Sequence, residues 1–177
     1  VVPTSWEQPT HTLHELRLKK SAAELERVRK AVELTTAGHV AVMAAAKPGT
    51  NECTLDALLE HTFRAGGSTG AAYTNIVAGG DNACILHYVE NDRPLQPGSL
   101  CLVDAGAEWE YYASDVTRTF PVDGTFTDDQ RRLYEVVLRA QKAAIDEVRP
   151  GSTMQKVHER ALHEICEGLL ELGIVQG

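Results

Sequence analysis

Residues 99–122 read SLCLVDAGAEWEYYASDVTRTFPV. Two runs, LCLVDAG and YYASDVTRTF, are rich in β-branched and aromatic residues and flank a polar turn near residues 107–110, which is the pattern of a β-hairpin. A regular hairpin centred between Trp109 and Glu110 sets Asp104 directly opposite Asp115, on one face, with Cβ atoms ~4.5–5.5 Å apart. Carboxylates that close repel each other, and in a buried site one of them has to stay protonated. A hard divalent cation removes the conflict, and oxygen donors suit Mg²⁺, Mn²⁺ or Zn²⁺. Two such ions ~3.5–4 Å apart with a bridging water would serve hydrolysis of an amide or a phosphate. Taken singly, each Asp also reads as the cap of a turn at a strand end. Two carboxylates do not fill two metal shells, and the sequence has no HExxH from which to draw further ligands.

Outward from the hairpin, YTNIVAGG (73–80) and CILHYV (84–89) read as further short strands bounded by Gly and Asn. Helical signals flank this strand region. Ser21 with Glu24 has the capping-box spacing, and a helix is expected from there to the Lys47-Pro48-Gly49 stop, with Leu25, Val28, Val32, Ala41 and Met43 on its apolar side. A second helix is expected over about 54–64. A third follows the Thr127-Asp128-Asp129-Gln130 cap to about Val148, and a fourth follows Pro150-Gly151-Ser152 and closes near the C-cap glycine Gly173. The blocks repeat: Pro48-Gly49-Thr50 and Pro150-Gly151-Ser152 lie 102 residues apart, and the same offset carries Glu33 to Glu135 and Ala41 to Ala143. Two helix hairpins sharing turn chemistry by chance would give this match. So would an ancient duplication into two helix–helix–sheet halves, in which case the sequence stops about one strand region short of a complete domain.

The 177 residues are 43% hydrophobic and 24% charged, values that exclude a disordered chain, a fibrous repeat and a coiled coil. The net charge of −8, with only 17 Lys and Arg, argues against nucleic-acid binding. No run reaches the ~20 apolar residues of a membrane span, and the opening VVPTSWEQPT lacks the layout of a signal peptide. The expectation is a soluble, cytoplasmic protein. Cys53, Cys84, Cys101 and Cys166 form no CxxC pair and are read as small buried hydrophobes. His11, His14, His39, His61, His158 and His163 are read as solvated surface residues.

The segments VAGGDNACILHYVEN (77–91) and SLCLVDAGAEWEYYASDVTRTFPVDGTFTDDQRRLYEVVL (99–138) closely resemble the catalytic domain of the Xaa-Pro aminopeptidases, dinuclear metallopeptidases of the creatinase/methionine aminopeptidase "pita-bread" fold. HELRLKKSAAELERVRKA (14–31) resembles the first helix of that domain. The resemblance implies an α+β fold, with residues 1–12 an interdomain linker and 13–177 the N-terminal half of the catalytic domain. It implies that Asp104 and Asp115 fall on metal-ligating aspartates, that His87 lines the active site and contacts substrate near the scissile bond, and that Tyr73 lies beside the ligating aspartates. The reaction implied is hydrolysis of an N-terminal Xaa–Pro bond by a hydroxide bridging two divalent ions, Mn²⁺ first, with Co²⁺ and Zn²⁺ as alternatives. The remaining ligands, a His and two Glu, belong to the second half of the family's domain. This chain alone is therefore expected to bind metal poorly and to need self-association or a partner segment that supplies the second half. An Xaa-Pro dipeptidase and a non-catalytic binding module of the same fold are the competing readings. RTFPVDGTF favours the aminopeptidase, and retention of both aspartates argues against the module.

Overall fold

The computed structural model describes residues 8–176, which fall into two units, divided between Asp123 and Gly124. The expected 1–12 linker lies largely outside the described residues. From Thr10 the chain is helical.

In the first unit, α2 (Ala22–Ala45) is the helix expected from the Ser21 cap, and an additional helix, α1 (Thr10–Leu18), precedes it. Ser21 separates them. Its hydroxyl accepts from the Glu24 N–H while the Glu24 carboxylate accepts from the Ser21 N–H at 2.6 Å, the capping box read from the sequence. α3 (Glu52–Ala65) follows a turn in which Gly49 takes φ 85°. The strands are β1 (Gly70–Ala71), β2 (Ile76–Gly79), β3 (Leu100–Ala105), β4 (Ala107–Trp109), β5 (Tyr112–Ala113) and β6 (Val116–Pro121). They form two antiparallel three-stranded sheets, ordered β2-β3-β6 and β1-β4-β5.

Alternate residues of β3 explain the layering. Cys101, Val103 and Ala105 are fully buried against Leu34 and Val42 of α2 and Leu55, Leu59 and Phe63 of α3, while Leu102 and Asp104 lie on the opposite face. The buried side of α2 is Ala31, Leu34, Thr35, Gly38, His39 and Val42. The residues expected there from hydropathy, Leu25, Val32 and Met43, are at least 40% exposed. Beside Leu34 and Val42 the inward side carries small or polar residues where α3 comes close: a Cβ on Gly38 would sit 2.6 Å from a Phe63 ring carbon. His39 is buried, contrary to the surface reading, and its Nδ1 bonds the Thr35 carbonyl at 3.0 Å. Of the cysteines only Cys101 is buried; Cys53, Cys84 and Cys166 are exposed.

The second unit is a helix hairpin, α4 (Asp128–Glu147) and α5 (Met154–Glu171). A Thr127–Gln130 capping box starts α4 and Thr153 caps α5. Gly173, at φ 69°, ends it as expected. The 102-residue offset carries over to the structure. α2 ends at Ala45 and α4 at Glu147; α3 begins at Glu52 and α5 at Met154; Gly49 and Gly151 take φ 85° and 87°.

Candidate metal centre

The central hairpin forms, but one step out of the expected register. Glu110 and Tyr111 both take left-handed conformations (φ 46° and 69°), as a two-residue type I′ loop requires. Trp109 then pairs with Tyr112 and Glu108 with Ala113, so the hairpin is centred one residue later than expected. Asp104 faces Thr117, not Asp115. The expected direct pairing is wrong, because Glu-Tyr gives none of the Asn-Gly signal that marks such a loop. Asp115 is nonetheless two residues from Thr117, which makes it a diagonal neighbour of Asp104 on the same face.

Between β3 and β4 the hairpin bends from one sheet into the other at Gly106. A Cβ there would lie 1.8 Å from the Ser114 carbonyl oxygen, so only glycine fits. The bend is bolted to α2. Thr35 Oγ1 accepts from the Ala107 N–H at 2.8 Å and shares a hydrogen bond with Ser114 Oγ, both hydroxyls being buried. Asp115 follows Ser114 directly.

Tyr73, in the loop between β1 and β2, joins the two aspartates. Its hydroxyl lies 2.6 Å from Asp104 Oδ1 and 3.1 Å from Asp115 Oδ1, so the two carboxylate oxygens are no further apart than those lengths laid end to end. Burial holds the Tyr73 phenol well above its ordinary pKa, reinforced by the hydrogen bond to Asp104 and the charges of both aspartates. The hydroxyl therefore remains a neutral donor, with one proton for two acceptors.

The donor set fits part of a divalent cation site. Two hard oxygen ligands converge on one face, half-buried at Asp104 and exposed at Asp115, and among the described residues no Lys or Arg pairs with either. Their charge is left for a cation to neutralise. Among the described residues no third His, Cys, Asp or Glu joins them, so the pair supplies only a portion of a coordination shell.

His87 is not in a strand. CILHYV, expected as one, is the end of a 3-10 turn (Gly80–Cys84) followed by an irregular loop, because Gly80 (φ 56°) turns the chain out of β2. His87 is exposed in that loop with φ 56°, a conformation uncommon for a side-chain-bearing residue. The loop packs on the Asp104 face of the sheet along its β2 edge. Ile76, opposite Asp104, and Ala78, opposite Leu102, form a cluster with the buried Tyr88, the next residue after His87.

The profile of metallopeptidase family M24 matches residues 26–175. The chain is 44% identical over 165 residues to the Xaa-Pro aminopeptidase of Haemophilus influenzae, covering 93% of this chain and 38% of that protein. It is 40% identical over 165 residues to that of Escherichia coli, covering 93% and 37%. Among solved structures, an aminopeptidase of Pseudomonas aeruginosa superposes with a TM-score of 0.93 at 47% identity, over 94% of this chain and 38% of the other. A variant of E. coli aminopeptidase P in complex with substrate gives 0.96 at 38% identity, over 99% and 40%. The α+β architecture is thus that of the aminopeptidase P structures, the pita-bread fold. The chain spans about two-fifths of the length of these relatives.

Proposed function

The chain belongs to metallopeptidase family M24, and from that premise we propose that it forms the first half of the catalytic domain of an Xaa-Pro aminopeptidase. The observation that carries the reading is the Tyr73 hydroxyl standing between the Asp104 and Asp115 carboxylates at 2.6 and 3.1 Å. Asp104 and Asp115 would hold the divalent ions, with Mn²⁺ the first choice. When bound, these supply a Lewis acid for the scissile carbonyl and a hydroxide nucleophile at neutral pH. Tyr73 keeps the Asp104 carboxylate turned towards the open face of the sheet. His87, exposed on the loop over that face, contacts the substrate, a peptide with proline in second position.

The rest of the ligand set belongs to a further segment, matching the part of the relatives that this chain does not span. That segment would also lay a sheet against the α4–α5 hairpin, as β2, β3 and β6 lie against α2 and α3.

The test is the complete protein with Asp104→Asn and, separately, Asp115→Asn. Each is expected to lower bound Mn²⁺ and to reduce cleavage of a proline-second peptide by at least about a thousandfold, in line with removing a group used by the chemical step. Either variant cleaving at the wild-type rate contradicts the proposal.

A further inference from the structure

Glu52 is a charged side chain with no exposure to solvent, and no sequence motif points to it. It is the first residue of α3, following the N-cap Asn51. Its carboxylate faces no Lys or Arg among the described residues and is satisfied entirely by neutral donors. Oε1 accepts from the Gly79 N–H at 2.8 Å and the Asn82 side-chain amide at 3.0 Å. Oε2 accepts from the Tyr88 hydroxyl at 2.8 Å and the Arg93 N–H at 3.0 Å. The Glu52 N–H in turn donates to the Arg93 carbonyl at 2.9 Å.

These donors mark out one segment. Gly79 ends β2, Asn82 lies in the 3-10 turn, Tyr88 follows His87, and Arg93 leads the chain away. The carboxylate closes the 80–92 loop as a clasp and connects it to the helix layer beyond the sheet. A second anchor is independent of it: Asn91 accepts from the Val77 N–H and donates to the Asn75 carbonyl, both at 2.9 Å, taking the place of a neighbouring strand along β2. Within the loop, Cys84, Ile85, Leu86 and His87 are exposed beside the buried Tyr88, and His87 holds a left-handed backbone at φ 56°. Such a conformation persists where the surroundings over-determine it. An isolated buried carboxylate is costly unless every lone pair is used, so the four donors and the acceptor fix one another.

We propose that Glu52 is a positioning residue for His87, acting through Tyr88 and the closed 80–92 loop to fix the histidine over the Asp104 face. This rests on the reading of His87 as a substrate contact. Glutamine at 52 keeps the shape, but its amide nitrogen cannot accept, so two of the four donors lose their partner.

The experiment is a double-mutant cycle in the complete protein, with Mn²⁺ and a proline-second tripeptide as substrate: E52Q, H87A and both together, each checked for folding by thermal unfolding. H87A is expected to lower kcat/KM. E52Q is expected to lower it about tenfold beside His87, and by less than about twofold when His87 is already alanine. An equal loss in both backgrounds overturns the clasp, since a purely structural role costs the same with or without His87. Wild-type activity of H87A overturns the reading of His87, and the clasp with it. If E52Q does not fold, Y88F enters the same cycle with the same opposed outcomes, because it removes one of the donors and leaves the Gly79 and Arg93 bonds intact.

Discussion

Two helix hairpins of this chain share a turn and differ in what lies against them. α2–α3 and α4–α5 each begin with a capping box and reverse at a left-handed glycine, Gly49 or Gly151. Each brings its helices together at a glycine, Gly38 beside Phe63 in the first and Gly168 beside Val136 in the second. Strands cover the first hairpin, and its Leu34, Val42, Leu55, Leu59 and Phe63 are buried in a shared core. The second buries only Val136, Ala140 and Gly168, while Val137, Ile145 and Leu162 are at least half exposed. Local chemistry is therefore enough to specify a helix–turn–helix unit. The core, and the carboxylates the core holds in place, arrive with the strands.

The two hairpins should part most at Gly106. An alanine there collides with the Ser114 carbonyl where the central hairpin bends. We expect Gly106→Ala to cost about 4 kcal/mol or more, at the high end for a single substitution. Amide resonances of residues 22–121 should lose protection while those of α4–α5 keep theirs. If both sets collapse together, the hairpins are not independently specified.

The interhelical glycines Gly38 and Gly168 form a matched pair. Gly38→Ala and Gly168→Ala gain the same helix propensity, about 1 kcal/mol, so their difference reports packing alone. At 38 the new methyl meets the fully buried Phe63 at 2.6 Å. A net loss of about 2 kcal/mol is expected in chemical denaturation. At 168 it meets Val136 at 2.4 Å, but a hairpin packed mainly on itself can separate slightly, and the net change should stay within about 1 kcal/mol. Equal losses would show the second hairpin to be as tightly confined as the first.

The smallest effect separates the two caps. Glu24 is held down to about 2, first by the Ser21 N–H, then by the Ser21 hydroxyl and by Tyr112, whereas the corresponding Gln130 does not titrate. A carboxylate with a lowered native pKa contributes stability that is complete above its unfolded value of about 4.5 and is lost as pH falls towards 2. Acid in that window should speed hydrogen exchange at the start of α2 and leave the start of α4 unchanged. Equal fraying of both would remove Glu24 as the cause.

Much of the fold is legible in the sequence where one residue decides a local event: the caps at Ser21 and Thr127, the Pro-Gly turns, Gly173. It is illegible where two segments decide together. The close approach of Phe63 puts Gly38, Thr35 and His39 inside beside Leu34 and Val42, while Val32 and Met43 stay out. The hairpin register is set by Glu110 and Tyr111, whose left-handed backbone no side-chain preference announces. The convergence of Tyr73, Asp104 and Asp115 could be anticipated through the family resemblance, though not its diagonal geometry. Glu52 could not, because a glutamate after an asparagine cap looks like any exposed helix start.

Asp104 and Asp115 are proposed to share metal across the open face of the sheet. Anomalous diffraction from crystals of the complete protein grown with Mn²⁺ tests it most directly. Manganese peaks are expected at coordination distance, roughly 2.0–2.6 Å for oxygen ligands of hard cations, from carboxylate oxygens of both aspartates. Manganese bound elsewhere, with the two aspartates held only by the Tyr73 hydroxyl, would contradict it.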